Sequence, residues 1–407
     1  MRLRSRRATL TGSGAVLAAA LIAACDGSGA GAGFAVRDSA GVTIVENVEA
    51  RDGASAWRIE PEPIVDLGGD ASGPAGIFER VAGVVLLEDG GVVAGDEGAG
   101  VVRAWDPSGV LRWRTGRAGD GPGEFRLIGG LGAGPSDSLW VWDFGSRRFT
   151  VLDAAGTPAR TLALDASISA AAAVGRLADG TFVLRELWGR PVAAVASTGL
   201  QRDPAAVVAV AADGERLDTV AVRPGREVRV TVEDGRGVMS TPLFSRNTAV
   251  AAAGDRVIVG DPAEYALDVL SRDGARRLSF RVSGLDLTID SDLIGRTVDA
   301  LLESLPRPER AARRAFVESL PVPPSRPAFG RILIAATGEL WVADFAAPPA
   351  DPAAWRVFAP DGRWLATVAM PQRFRLEAVG RDRVAGVWRD EFDVERVRVH
   401  RLTRPLR

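Results

Sequence analysis

Part of this chain repeats itself at an offset of 47 residues, and that periodicity limits the fold more than any other feature. Phe78, Asp96 and Asp106-Pro107-Ser108-Gly109 return as Phe125, Asp143 and Asp153-Ala154-Ala155-Gly156. Upstream, Gly73-Pro74-Ala75-Gly76-Ile77-Phe78 is echoed by Gly121-Pro122-Gly123-Glu124-Phe125. Short alternating apolar runs and turn residues fill the intervals, which is a strand pattern. Internal repetition at this length is the mark of an architecture built from stacked units.

The unit can be traced further. An apolar run closing on an acid recurs at 92–96, 139–143, 182–186, 257–261 and 340–344, ending at Asp96, Asp143, Glu186, Asp261 and Asp344. A sixth copy, 384–388, carries Trp388 in place of the acid. A second run then ends in a tight turn at Asp106–Gly109, Asp153–Gly156, Asp213-Gly214, Asp273-Gly274 and Asp361-Gly362. Each unit has room for four short strands. Six such units describe an all-β, six-bladed β-propeller. Residues 375–402 supply only three strands of the last blade. The run 57–67 precedes the first Gly-rich turn as 110–115 precedes the second, so it is expected to be the missing outer strand. That arrangement joins the termini and leaves no unpaired edge at the seam.

One segment breaks the pattern. Residues 285–327 separate units four and five, and Ile294, Val298, Leu301, Leu302 and Leu305 keep helical spacing. Ser291 is placed to cap this helix and Pro306 to end it. Residues 309–320 can form a second helix. The insertion is either a surface excursion packed on a blade or a lid or partner-binding pair beside the channel mouth.

Residues 116–125, then Leu139-Trp140-Val141-Trp142-Asp143, then Arg148 to Asp153 with Gly156, resemble one NHL repeat. The likeness is closest in that unit and weakest in units three, four and six. The chain also resembles the exported six-bladed β-propeller lipoproteins of bacteria, whose mature start often reads like Arg37-Asp38-Ser39-Ala40-Gly41-Val42. Together the resemblance covers roughly residues 36–404. It implies the fold and a binding role, and no single reaction.

The first 24 residues read as an export signal. Arg2, Arg4, Arg6 and Arg7 precede an apolar stretch too short to span a membrane. Leu21-Ile22-Ala23-Ala24-Cys25 resembles the bacterial lipobox, which implies cleavage before Cys25 and a diacylglyceryl group on its thiol. Ser5-Arg6-Arg7-Ala8-Thr9-Leu10 also resembles a twin-arginine signal. Residues 25–35 read as a flexible tether and 36–407 as the propeller. The expected address is the cell envelope, lipid-anchored to a membrane and facing the periplasm or the exterior.

Composition removes whole classes of chemistry. All 50 basic residues are arginine, so lysine Schiff bases and the lysine-bearing phosphate loop are excluded. His400 is the only histidine, Tyr265 the only tyrosine and Cys25 the only cysteine. No multi-histidine metal site or internal disulfide can form. The net charge of -2 gives no reason to expect nucleic acid.

What remains lies on one face. Second strands end where first strands begin, so the repeat acids should sit beside the lead-in motifs Phe78-Glu79-Arg80, Phe125-Arg126, Phe244-Ser245-Arg246, Phe329-Gly330-Arg331 and Phe374-Arg375. The acids are expected to cap turns and pair with arginines, a structural task. The candidate binding face is Arg80, Arg126, Arg246, Arg331, Arg375 and Trp388, for an anionic ligand or a partner's acidic side chain. Arg375 stands out because Trp388 replaces the acid of its unit. The Gly-rich stretch 116–123 reads as an inter-blade turn rather than a phosphate cradle, and His400 as a strand residue with a structural role. No catalytic constellation and no cofactor are expected. Calcium stays open, because six-bladed lactonases hold one Ca2+ with acids and asparagines in the channel, and this chain has only Asn47 and Asn247.

The expected protein is a monomeric envelope scaffold that binds a protein, a glycan stacked on tryptophan, or a small ligand. The alternative is a Ca2+-dependent hydrolase or lactonase.

Overall fold

The computed structural model describes residues 33–50, 57–69, 76–165, 168, 171–187, 198–233, 236–303, 305–348 and 353–404. The signal segment, Cys25 and all but the end of the expected tether lie outside them. Among the described residues the chain is all-β, with 29 strands and two α-helices.

Twenty-four of these strands pair as six antiparallel sets of four, the third and fourth joined within one ten-stranded sheet. Unit one is Val81–Leu86, Val92–Asp96, Val101–Trp105 and Leu111–Thr115. Unit two is Ile128–Ala133, Leu139–Asp143, Arg148–Leu152 and Pro158–Ala163. Unit three is Ala171–Leu177, Phe182–Glu186, Pro204–Val210 and Arg216–Pro224. Unit four is Ala249–Gly254, Arg256–Asp261, Ala266–Leu270 and Arg276–Val282. Unit five is Phe329–Ile334, Leu340–Asp344, Trp355–Phe358 and Trp364–Val368. The sixth set is Phe374–Val379, Arg383–Arg389, Glu395–Thr403 and the early strand Arg58–Leu67, which runs antiparallel to Glu395–Thr403.

The first strands touch in sequence order from unit one to unit six, and the first strand of unit six touches that of unit one. Second strands are largely buried, Val92–Asp96 and Leu139–Asp143 along their whole length. Strands covered on both faces read as continuous apolar runs, and the core lies in the layers between neighbouring units. The Asp-x-x-Gly turns follow from local chemistry. Asp153 Oδ1 accepts the N–H groups of Ala155 at 3.0 Å and Thr157 at 2.8 Å. Gly156 then takes a φ of 78°, a left-handed value that costs glycine little. Asp106 and Gly109 repeat this geometry in unit one.

Units three and four share a closer seam. Their first strands pair in parallel, Gly175 opposite Ala252. A Cβ on Gly175 would lie 1.9 Å from the Ala252 carbonyl oxygen, so only glycine admits this approach.

Several elements differ from the sequence reading. A hairpin, Phe34–Ser39 with Val42–Asn47, begins inside the expected tether and lies parallel to the outer strand of unit four. Asn47, fully buried, fixes it there. Its amide donates to the carbonyls of Arg281 at 3.1 Å and Gly362 at 3.0 Å, and its oxygen accepts from Trp364 N–H at 2.9 Å. A three-stranded sheet, Gly199–Gln201 with Val228–Glu233 and Arg236–Ser240, stands between units three and four. The insertion is helical, Ser291–Glu303 and Arg307–Glu318. Its first cap is Asp290 rather than Ser291, because the Asp290 carboxylate accepts Leu293 N–H at 2.7 Å. Val298, Leu302 and Val317 join the helices and pack against Leu243, just before the lead-in to unit four.

Candidate functional site

Asp96 and Asp143 accept the backbone N–H groups that lead into the first strand of their own unit, and one from the turn that follows them. Asp143 takes those of Arg126, Leu127 and Ser146, each at 3.1 Å. Asp96 takes those of Glu79, Arg80 and Ala99. The guanidinium partners of the repeat acids come from third or fourth strands or neighbouring loops rather than from the lead-in motifs. Arg103 lies 3.2 Å from Asp96, Arg148 3.8 Å from Asp143, Arg202 2.9 Å from Asp261 and Arg356 2.7 Å from Asp344. Glu186 receives Ala206 N–H at 3.3 Å and has Arg216 at 3.9 Å.

The lead-in arginines have other carboxylates. Arg80 binds Glu97 at 2.6 Å and Arg126 binds Asp120 at 2.7 Å. Arg246 grips Glu227 through two nitrogens. Arg331 holds both Glu377 oxygens, at 3.1 and 2.8 Å. Arg375 lies 3.3 Å from the same Glu377 and donates to the Val81 carbonyl. The singled-out Arg375 is thus half-exposed but paired, because Glu377 of its own strand supplies the carboxylate that its second strand lacks. Trp388 keeps its repeat position by another interaction. The Arg398 guanidinium stacks 3.5 Å above its ring and reaches Asp66 at 3.0 Å.

The nine tryptophans among the described residues are buried or half-buried. Trp140 and Trp341 pack in the core. The Gly-rich stretch closes on itself: Glu124 accepts Gly121 N–H at 2.8 Å and Arg117 Nε at 2.6 Å. Those bonds, the Gly121 one first, hold the Glu124 carboxyl below its usual range.

His400 is buried edge-on to Phe374, with Nδ1 2.9 Å from the Glu60 carbonyl oxygen. Nδ1 is therefore the protonated nitrogen that donates. Burial pushes the imidazole below its ordinary 6.5. Above that value it is neutral folded or unfolded and costs nothing. As pH falls below 6.5 the unfolded chain takes the proton first, so stability must drop until the folded imidazole also titrates. Urea midpoints measured from pH 7.5 down to pH 5 should show this slope, and His400→Phe should flatten it.

Two cavities lie against the first strands, one toward their C-terminal ends and one toward their N-terminal ends. One, of about 480 Å³, is walled by aliphatic residues with Arg176, Arg256, Asp255 and Glu377. The other, of about 460 Å³, lies at the lead-in end where units three, four and five meet. Its wall includes Val174, Val250, Phe329, Ile332 and Phe345, and its polar side chains are Arg185, Arg331, Ser245, Asn247 and Thr248. Ser245 and Thr248 donate to the carbonyls of Glu227 and Pro224. Arg185 Nη1 donates to Asn247 Oδ1 at 2.8 Å. Burial, and then the nearby Arg226, pull the Arg185 pKa below its ordinary value.

The sequence reading missed Arg185. The signal was its register. The residue before the repeat acid is Gly95, Trp142, Gly260 and Ala343 in the other acid-bearing units, and only unit three places a charge there.

Of the two carboxylates lining these cavities, Glu377 is held by two arginines and Asp255 shares its wall with Arg176 and Arg256, while the oxygen of Asn247 faces a guanidinium. Asn47 is spent on the hairpin. Among the described residues no three His, Cys, Asp or Glu converge as a metal site. No helix among them is long and apolar enough to cross a membrane.

No protein-family model matches the chain, and no curated protein matches its sequence. Among solved structures it is similar to a Bacteroides fragilis protein described as exported, at 12% identity over 89% of this chain and 100% of that one, with a TM-score of 0.49. It is also similar to a protein described as a gluconolactonase, at 15% identity over 88% and 96%, TM-score 0.41. A virginiamycin B lyase from Staphylococcus aureus aligns at 10% identity over 80% and 95%, TM-score 0.40. At such identity these likenesses say nothing of activity.

Proposed function

We propose that this chain is a lipid-anchored, cell-envelope six-bladed β-propeller with NHL-like repeats that serves as a binding scaffold. The cyclic contact of the first strands and the pairing of Arg58–Leu67 with Glu395–Thr403 support a closed ring of six blades. The lipobox-like segment ending at Cys25 supports the anchor. The observation that carries the binding role is the lead-in cavity, which offers a guanidinium and amide with neutral walls and no carboxylate among its lining residues. A metal-dependent hydrolase needs the opposite donor set.

Thermal melts of the full chain in detergent, with EDTA and then with Ca2+, Mg2+ or Mn2+, test this reading. No change in Tm is expected. A ligand at a hundredfold excess over its Kd stabilises the folded state by about 2.7 kcal/mol, so a reproducible Ca2+ shift of that order would overturn the scaffold in favour of the hydrolase. In cells, fatty-acid labelling and membrane recovery should both be lost with Cys25→Ser.

A further inference from the structure

We propose that the lead-in cavity binds a small organic monocarboxylate with an apolar body, held by Arg185 and Asn247. The inference deepens the scaffold reading by naming the ligand class of that same site.

The first argument is charge accounting. The other lining guanidinium, Arg331, has Glu377, and nearby Arg246 and Arg202 have Glu227 and Asp261. Arg226, near enough to act on Arg185, binds the Thr241 hydroxyl at 2.7 Å. Arg185 meets only a neutral amide oxygen, and no carboxylate among the described residues acts on it. A partly buried cation beside another arginine is an unfavourable arrangement unless an anion completes it.

The second argument is geometry. Asn247 Oδ1 occupies Nη1 of Arg185, which leaves Nε and Nη2 as a planar fork. The Asn247 amide nitrogen adds a third donor. A planar two-oxygen anion fits a guanidinium fork bidentately. A phosphate would press its remaining oxygens against a largely apolar wall, where they would lose water without gaining donors. The third argument is the wall. Phe329, Phe345, Val174, Val250 and Ile332 offer apolar surface around a volume of about 460 Å³, which suits an aromatic or branched body.

The test is calorimetric titration and thermal melting of the full chain with benzoate, its neutral isostere benzamide, and inorganic phosphate at fixed ionic strength. Benzoate should bind and raise Tm, and benzamide and phosphate should not. Arg185→Gln should weaken benzoate at least tenfold while melting no lower than the parent without ligand, because it removes a poorly solvated charge. Should that variant not fold, Asn247→Leu keeps Arg185 and should still weaken benzoate. No heat and no shift at about 10 mM benzoate, some ten times a Kd of roughly 1 mM, would overturn the assignment. So would equal binding of benzamide, binding of phosphate alone, or undiminished binding in both variants. None of these results involves a metal, so this inference can fail while the scaffold stands, and a Ca2+ shift would remove the scaffold separately.

Discussion

Asp96→Ala is expected to lower stability by about 3–5 kcal/mol, read as a fall in urea midpoint at unchanged slope. Asp96 is fully buried. Its two oxygens serve three backbone N–H groups and the Arg103 guanidinium, whose side chain is 5% exposed. Alanine would strand all four donors, with Arg103 a buried charge over the Phe78 ring. The loss should come from that stranded charge more than from the missing contact. Asp96→Ala with Arg103→Met should therefore be more stable than Asp96→Ala alone. A single variant within 1 kcal/mol of the parent, on the scale of an exposed ion pair, would show that the carboxylate is no clamp.

Phe149→Ala should cost a comparable 3–5 kcal/mol by a different route. Phe149 is fully buried on the third strand of unit two and stacks on Phe182 of unit three at 4.0 Å. Trp142 lies 4.7 Å and Trp140 5.9 Å away. Neighbouring strands are hydrogen-bonded and cannot collapse into the space, so a cavity would persist between the units. The check is the denaturation midpoint together with tryptophan fluorescence. Phe149→Leu, which keeps most of the volume, should lose only about 1–1.5 kcal/mol.

The repeat was legible because its landmarks are local. An acid that takes the N–H groups leading into the first strand of its own unit, and an aspartate that folds its own turn, leave a residue type at a fixed register. Unit three is harder to read because a different residue does the same job. Fully buried Ile168, three residues before its first strand, holds the place that Phe78 and Phe125 hold before theirs. The N-terminal hairpin was not legible. Its exposed first strand has no core face to pattern, and its position depends on Asn47 meeting groups hundreds of residues away. The small sheet beside unit three is short and lies off the repeat. Site legibility failed for a related reason. The lead-in arginines recur and so drew attention, yet each has a partner contributed from outside its motif. Arg185 is informative because it does not recur, and only the assembled junction reveals that Arg331, Arg246 and Arg202 already have carboxylates.

The seam between the two ends also sets an order of events. Strand Arg58–Leu67 leaves the ribosome early, but Leu67 must wait for Val397 and Arg58 for Thr403. Asn47 likewise waits for Gly362 and Trp364. Until the final strand exists, the opening segment has no native place and the first unit has one uncovered side. Units one to three can mature as the chain lengthens, while pairing of the two ends is a late, long-range step of the kind that slows folding. Loss of even the last dozen residues would thus be felt at the beginning of the polypeptide.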